Sequence, residues 1–336
     1  MKKFIAIILS LVLALSMTAC GAKEAAPAET NAPEAAGAAT ELKVAIIQQL
    51  DHSSLDEIRE AIKAQLNALA EPTNYTITIE EYNGQNDTSM LTQIATQVVA
   101  DEPDMIIPIA TLAAQYAVLA AEGTDIPIVY AAISDPESAG LTGLANVTGV
   151  SDALNTPFIL DMMLAAQPDV QTVGLLYSNS EANSATPIAE AKEYLDAKGI
   201  AYIEKTGTTS GEIVEAAASL VGRVDAVFTP TDNTVMAAEA SVAELLNGSG
   251  IPHYTGADSF VQTGAFTTCG VNYTELGTKV ADIAFDILMG GEIGEFVVMD
   301  GGIITVNTDT AEICGIDYSV FSTMANTVNA VTTIVD

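Results

Sequence analysis

The sequence predicts an α/β fold of two lobes, each built from a parallel β-sheet with helices on both faces. Short runs rich in Val, Ile, Thr and Tyr alternate with longer runs whose apolar residues recur at helical spacing. This alternation is typical of parallel sheets, because a parallel strand has to be reached through a crossover helix. The pattern starts afresh near residues 150–156, and about 295 residues follow the N-terminal region, enough for two lobes.

The first lobe opens with the apolar run LKVAIIQQ, which predicts a strand. The helix that follows is the clearest, since Leu55, Ile58 and Ile62 begin a stripe of apolar residues at helical spacing. The predicted strands are 42–49, 75–82, 104–110, 126–133 and 146–151, and the predicted helices are 54–70, 89–102 and 111–122.

The second lobe repeats this order. The predicted helices are 156–167, 185–199, 211–222, 233–250 and 273–291, and the predicted strands are 172–177, 200–206, 225–231, 251–257 and 264–270. The run FVVMDGGIITVNT follows the last helix and predicts a return crossing between the lobes. The predicted N-terminal lobe is 41–152 with about 270–295, and the predicted C-terminal lobe is 153–269 with about 296–336. Such crossings would join the lobes by several hinge strands.

The N-terminus has the layout of a secretory leader. Two lysines precede an apolar run from Phe4 to Leu15, and small residues lead to Cys20. The Thr18-Ala19-Cys20 end resembles a bacterial lipobox, which predicts a leader over 1–20 and lipid on Cys20. An ordinary secretory signal with an incidental cysteine is the alternative. Residues 21–40 contain no aromatic or large aliphatic side chain, which predicts a flexible tether.

Composition narrows the ligand classes. The formal charge of −33 disfavours nucleic acid and anionic lipid headgroups as partners. Two histidines, with Cys269 and Cys314 as the only cysteines after Cys20, argue against a His/Cys metal cluster. These two cysteines are expected to be buried free thiols, and a disulfide between them is the alternative. No Lys or Arg lies between Lys63 and Lys192, so that stretch must bind any anion through neutral donors.

Short polar side chains follow the predicted strands, at the edge where open parallel sheets bind ligands. Each can instead cap a helix. Together they would line a cleft with hydroxyls, amides and carboxylates but no cation, which suits a zwitterion such as an amino acid. Thr111 with the N–H groups of Leu112 and Ala113 would hold a carboxylate, and Asp232 or Asp258 an ammonium. Rings of Tyr130 and Tyr177 would contact an apolar ligand side chain, with ordinary packing as the alternative.

Catalytic and cofactor motifs are missing from the sequence. It contains no G-x-S-x-G elbow and no G-x-x-x-x-G-K-[ST] loop, and no G-x-G-x-x-G follows the first strand. We therefore expect a protein that is not an enzyme and needs no cofactor.

Six segments, read in order, are similar to a known family. They are IATLAAQ (109–115), AAISDPESAGL (131–141), NVTGVSD (146–152), YSNSEANS (177–184), PTDNTV (230–235) and GADSF (256–260). Over roughly residues 42–300 the chain resembles the ABC transporter substrate-binding lipoproteins of the tryptophan/tyrosine type. The resemblance implies a type I periplasmic-binding-protein fold, with two Rossmann-like lobes joined by a multi-strand hinge. It also implies capture of an aromatic amino acid (Trp, Tyr or Phe) for an importer.

Position by position, the resemblance implies ligand contacts from residues at the strand ends. They are Thr111, Ser134, Asp135, Asn183, Ser184, Asp232, Asn233, Thr234 and Asp258. Some neighbours depart from the family pattern: Asp51 and Ser53 stand where Glu and Pro are common, Leu112 replaces a frequent Pro, and YSNSEANS lacks the usual Pro-Gly.

The implied partners are ABC permease and ATPase subunits at the outer face of the bacterial cytoplasmic membrane, where lipid on Cys20 would anchor the chain. Another small ligand (a nucleoside, a sugar or another amino acid), a sensory binding module and a surface hydrolase are the alternatives.

Overall fold

The computed structural model describes residues 40–334. In this range strands and helices alternate, with short 3-10 turns at Ala182–Ser184 and Ser319–Thr323. The strands are β1 (Thr40–Gln48), β2 (Tyr75–Asn83), β3 (Met105–Ile109), β4 (Ile128–Ala131), β5 (Val147–Ser151), β6 (Thr172–Ser178), β7 (Ala201–Gly207), β8 (Ala226–Thr229), β9 (His253–Thr255), β10 (Thr267–Gly270), β11 (Val297–Val298), β12 (Ile303–Asn307) and β13 (Thr327–Val331). The helices are α1 (Ser53–Ala70), α2 (Thr88–Ala100), α3 (Thr111–Ala120), α4 (Thr156–Ala166), α5 (Ala185–Lys198), α6 (Ser210–Ala218), α7 (Asn233–Met236), α8 (Glu239–Asn247), α9 (Asp258–Thr263), α10 (Tyr273–Leu288) and α11 (Thr308–Cys314).

The predicted leader over 1–20, with Cys20, lies outside the described residues, and so does the predicted tether except Thr40, which opens β1. None of the described helices combines the length and apolarity needed to cross a bilayer.

The N-terminal lobe is built on a sheet in the order β11-β5-β4-β3-β1-β2, and its neighbouring strands are all parallel. The chain leaves β1 toward β2 and then returns to the other side of β1 in β3. Ligands bind at such a switch in strand order, outside the carboxyl ends of the strands. A ligand site is therefore expected at the carboxyl end of β3.

The C-terminal lobe repeats this arrangement in the order β13-β12-β10-β9-β8-β6-β7. Its pairs are parallel except β10 with β12, where Gly270 lies opposite Ile303. The reversal follows from the connection: the chain leaves β10 for the other lobe and returns at the same end of the sheet. The predicted α/β fold with two lobes is confirmed.

Three crossings join the lobes, between β5 and α4, between β10 and α10, and between β11 and β12. The first two leave from the carboxyl ends of their strands, so the carboxyl edges of the two sheets face each other. The last crossing comes later than predicted. Val297 and Val298 pair with Val150 and Ser151 of the first sheet, so the N-terminal lobe extends to β11 rather than ending near residue 295.

One predicted helix is broken in the structure. Residues 233–250 were predicted as a single helix, and they form α7 and α8, separated at Ala237 and Ala238. The side chain of Glu239, the first residue of α8, is buried, with Oε1 3.0 Å from Nδ1 of His253 on β9. This contact ties the start of α8 to the sheet.

Helices α1 and α10 pack closely because Gly277 has no side chain at their crossing. A Cβ atom at Gly277 would lie 2.5 Å from the carbonyl oxygen of Ile58 and 2.8 Å from Cβ of Ala61. The main chain of α1 cannot move away from such a Cβ atom unless the two helices separate.

We expect Gly277→Ala to destabilise the protein by about 1–3 kcal/mol, because the steric cost outweighs the helix propensity gained, about 1 kcal/mol. Gly211→Ala is the matched control: Gly211 lies in α6 with no atom within 4 Å of a built Cβ, so this variant should be as stable as the wild type or more so. Thermal unfolding of both variants tests the packing, and an unchanged Gly277→Ala midpoint would contradict it.

Candidate ligand-binding site

A cavity lies between the lobes, where the carboxyl edges of the two sheets meet. It holds about 30 Å³ of free space in this arrangement of the lobes, so a small-molecule ligand of ordinary size needs the lobes to be further apart. The polar residues that line it are His52, Ser54, Thr111, Ser134, Asp152, Asn183, Thr231, Asp232, Asn233 and Ser259, and the apolar or aromatic ones are Leu55, Ala110, Ala132, Met236, Ala257, Phe260 and Tyr273.

Unusual backbone marks the N-terminal side of the cavity. Ala110 follows β3 with φ 74°, and Ala132 follows β4 with φ 56°. A non-glycine residue in this region of φ stores roughly 1–3 kcal/mol of strain, which structures retain mainly at functional positions. Both alanines line the cavity, so the main chain of these two strained turns forms part of the cavity wall.

The start of α3 differs from its predicted form. Thr111 is buried and lines the cavity, but it is the first helical residue rather than the cap, which is Ala110. The N–H of Leu112, predicted to be free for an anion, donates to Oε1 of Gln49 at 3.0 Å. Gln49 is itself buried after β1, so it occupies part of the predicted anion site.

Ser134 and Asp152 form the polar wall beside the hinge. The Ser134 hydroxyl donates to Oδ1 of Asp152 at 3.0 Å and lies 2.7 Å from the hydroxyl of Thr231 in the other lobe. Asp152 is buried, also accepts a hydrogen bond from Tyr273, and has its pKa raised by that burial. No Lys or Arg is among the described residues that line the cavity.

Asp232 lines the opposite wall as the N-cap of α7. Its Oδ2 accepts from the N–H of Ser178 and the hydroxyl of Ser184, each at 2.6 Å, and its Oδ1 accepts from the N–H of Val235 at 2.9 Å. Both oxygens are thus engaged by the protein, and a contact between Asp232 and a ligand ammonium stays a prediction. Its predicted capping alternative is present in the structure.

Glu181 is a buried carboxylate that the sequence did not single out for this role. Its Oε2 accepts from the main-chain N–H and the side-chain amide of Asn233 at 3.1 and 3.0 Å. Its Oε1 accepts from the N–H and hydroxyl of Thr234 at 2.8 and 2.9 Å. Burial, followed by the like charge of Glu181, raises the pKa of Asp232 to about 7.

The structure brings Thr111, Ser134, Asn183, Asp232 and Asn233 to the cavity. The other predicted polar contacts do not line it. Asp135 accepts a hydrogen bond from Thr186 of the other lobe at 2.5 Å. The hydroxyl of Ser184 donates to Asp232, and that of Thr234 donates to Glu181. Asp258 Oδ1 accepts a hydrogen bond from Ser54 at 2.9 Å.

Neither predicted tyrosine ring reaches the cavity. Tyr130 is fully buried in the N-terminal core, and its ring covers Gly149 of β5, where a Cβ would lie 2.4 Å from Cδ2. Tyr177 donates its hydroxyl to Glu204 of β7 at 2.9 Å. Phe260 and Tyr273 supply the rings instead.

Three cavity-lining side chains carry buried polar atoms without a hydrogen-bond partner among the described residues: His52 Nδ1, Asn183 Oδ1 and Ser259 Oγ. His52 Nε2 lies 3.4 Å from Oδ1 of Asn233, whose amide nitrogen donates to Glu181. Nε2 therefore carries the proton and Nδ1 is an acceptor. Burial lowers the pKa of His52 to about 4, so the ring is neutral at pH 7.

The lobes are in direct contact around the cavity. Hydrogen bonds cross from Ser54 to Asp258 and from Thr186 to Asp135, at 2.9 and 2.5 Å. One apolar cluster also runs from Leu55 in α1 to residues of α7 and α9 in the other lobe. The structure is a closed form, in which the cavity is shut off from most of the solvent.

The family described as ABC transporter substrate binding protein matches residues 43–326. This chain belongs to that family. A curated relative, the Tyrosine-binding protein of Clostridioides difficile (strain R20291), is 31% identical over 317 residues, covering 92% of this chain and 91% of the relative. The family resemblance inferred from the sequence is thereby confirmed, and the fold is of the type I periplasmic-binding-protein class.

Two solved structures bear on the conformation of this substrate-binding protein. An ABC domain from Streptococcus pneumonia in complex with L-Trp is 29% identical and covers 86% of this chain and 100% of its own, with a TM-score of 0.80. A ligand-free, open structure of a substrate binding protein with adhesive properties from Clostridium difficile is 30% identical and covers 87% and 100%, with a TM-score of 0.65. The lower score with the open structure agrees with the closed lobes.

We expect Glu181→Ala to destabilise this substrate-binding protein by about 2–4 kcal/mol, because it leaves main-chain and side-chain donors of α7 unpaired. Relief of the repulsion with Asp232 offsets only part of that loss. Glu193→Ala is the control, since Glu193 is exposed on α5. Thermal unfolding would contradict this role if both variants melted together with the wild type.

Proposed function

We propose that this protein captures an aromatic amino acid, Trp, Tyr or Phe, in the cavity between its lobes and delivers it to an ABC importer. One observation carries the proposal: the cavity is rich in hydrogen-bond acceptors and carboxylates, but no cationic side chain lines it in the described chain. Buried acceptors without a hydrogen-bond donor and buried carboxylates without a cation are costly. A ligand ammonium would supply both the donors and the positive charge.

The ammonium is placed against Asp152, Asn183 and His52 in this proposal. Asp152 supplies a carboxylate beside the hinge, while Asn183 Oδ1 and His52 Nδ1 are acceptors without protein partners. Asp232 has no direct contact with the ammonium in this proposal, because its oxygens already accept three protein hydrogen bonds.

The ligand carboxylate is placed at the opposite, neutral-donor side. Thr111 presents its hydroxyl at the start of α3, where the positive end of the helix dipole favours an anion. Ser134, which donates to Asp152, and Asn233, which lies beside His52, complete the polar contacts between the two ends of the ligand.

The ligand side chain is placed against Leu55, Met236, Phe260 and Tyr273. These residues form the apolar and aromatic part of the lining, and Phe260 and Tyr273 are both buried. Aromatic rings pack favourably edge to face, which suits an aromatic ligand. The relatives described above as tyrosine-binding or crystallised with L-Trp support this choice of ligand.

Delivery to a permease and its ATPase is proposed from family membership. The Cys20 lipobox would hold the protein at the outer face of the membrane, with residues 21–40 as a tether that lets the lobes reach the permease. Closure with ligand would present a surface that the open form does not.

The binding test is calorimetry with Trp, Tyr, Phe, a nucleoside panel and a sugar panel on protein refolded without ligand. We expect binding of at least one aromatic amino acid and none of its analogue lacking the amino group, because the ammonium partners would be left unpaired. Asp152→Asn should weaken the affinity by about 10-fold or more, whereas Asp169→Asn on the surface should not.

Equal binding of the amino acid and its des-amino analogue would contradict the ammonium site. Binding of only a sugar or nucleoside would contradict the ligand class.

The anchor is tested separately by Cys20→Ser. We expect the wild-type chain to fractionate with bacterial membranes and the variant to be released or to retain its uncleaved leader, because a lipidated cysteine is the proposed attachment. A control serine substitution at Cys314, in α11, should leave the membrane fraction unchanged. Equal fractionation of the wild type and Cys20→Ser would refute lipid attachment at this residue.

A further inference from the structure

Another cavity between the lobes is bordered, like the ligand cavity, by Tyr273. It encloses about 180 Å³, and Tyr273 lines both spaces. Its walls also carry two acidic residues, Glu57 and Asp258, and no lining residue of the described chain is Lys or Arg.

The floor of this acidic cavity is a row of polar side chains on the C-terminal sheet. Thr268 of β10 lies opposite Thr305 of β12, and Thr305 lies beside Asn329 of β13. Because the three residues are in register on adjacent strands, their side chains project from the same face of the sheet. All three line the cavity.

The two carboxylates come from different lobes. Glu57 lies on α1, and its Oε1 accepts hydrogen bonds from the N–H of Thr274, at 2.9 Å, and from the Thr274 hydroxyl. Asp258 begins α9, and its Oδ1 accepts from Ser54 at 2.9 Å. The second oxygen of each carboxylate has no side-chain donor within residues 40–334.

An independent observation points to a missing partner in this space. Thr268 is 1% exposed, and its hydroxyl has no hydrogen-bond partner in the described chain. A buried hydroxyl is rarely left unpaired.

We propose that the acidic cavity binds Ca²⁺, held between Glu57 of one lobe and Asp258 of the other, with Thr268, Thr305 and Asn329 supplying neutral oxygens. Hard divalent cations prefer such all-oxygen sets, and Ca²⁺ tolerates irregular geometry better than Mg²⁺. No group of three or more His, Cys, Asp or Glu in the described chain is placed to hold a metal. The two carboxylates therefore need neutral oxygens to complete the shell, and the affinity should be that of a weak extracellular site, about 10⁻⁴–10⁻³ M.

Ca²⁺ at this position would act on closure, because the two carboxylates belong to different lobes. It would favour the closed form, and by linkage Ca²⁺ and the amino acid would each tighten binding of the other. This coupling rests on the proposed function, whereas the Ca²⁺ site itself does not.

The site is tested first without amino acid, by thermal unfolding in about 5 mM CaCl₂ against EDTA at matched ionic strength. We expect CaCl₂ to raise the melting temperature of the wild type and of the control Glu122→Gln, which alters an exposed acid of the same lobe. Glu57→Gln should lose the shift. Thr268→Val, which keeps the shape of a buried side chain, should reduce it.

An equal shift in the wild type and Glu57→Gln, or no shift in either, would overturn the site. MgCl₂ as effective as CaCl₂ would overturn the assignment to Ca²⁺.

Calorimetry with the amino acid then measures the coupling. We expect a dissociation constant at least about fivefold smaller in CaCl₂ than in EDTA, with the difference lost in Glu57→Gln. If the amino acid binds equally with and without CaCl₂, the coupling fails while the proposed function stands. If CaCl₂ raises the melting temperature through Glu57 but no amino acid binds, the Ca²⁺ site stands and the proposed function fails.

Discussion

The first turn of α7 is held at the cleft by two buried carboxylates, and the ligand cavity depends on this arrangement. Asp232 caps the helix through Val235, and Glu181 binds the N–H groups of Asn233 and Thr234. Together they satisfy donors that a helix start leaves unpaired. The same bonds fix the position of Asn233. The cavity wall formed by the C-terminal lobe is therefore positioned by residues that a ligand need not touch.

Holding a helix this way has an electrostatic cost that shapes the rest of the cleft. Two carboxylates are buried near each other, and closure adds Asp152 from the hinge. With no cationic side chain lining the cavity within the described residues, the closed form needs positive charge from elsewhere. Tyr273 links the two places where we propose that positive charge enters, because it donates to Asp152 and lines both the ligand cavity and the acidic cavity. The closed form would then be favoured only when a positively charged ligand or ion is bound, since an empty cleft leaves these charges uncompensated.

The strand ends show how far the sequence could identify the site. Ser134 and Asn183 follow predicted strands, and because parallel strands end at one edge, both reach the cavity. Tyr130 was chosen by the same reasoning, but it lies within its strand. Successive side chains of a strand point to opposite faces of the sheet, and the ring of Tyr130 points into the core over Gly149. Phe260 and Tyr273 lie in the first turns of helices, and nothing in their local pattern distinguishes a cavity ring from a core ring. The break between α7 and α8 was equally hidden, since neither Gly nor Pro marks it.

The sequence by itself determined the alternation of strands and helices, the two-lobed fold and the family, because these follow from periodicity and from motifs that are local in the chain. Only the tertiary structure decided which polar residues line the cavity between the lobes. Asp232 and Asp258 look alike as strand-end acids, yet one lines the ligand cavity and the other faces the acidic cavity beside Glu57. Their difference arises from how the lobes close on each other, which depends on contacts between residues some 200 positions apart, such as Ser54 with Asp258.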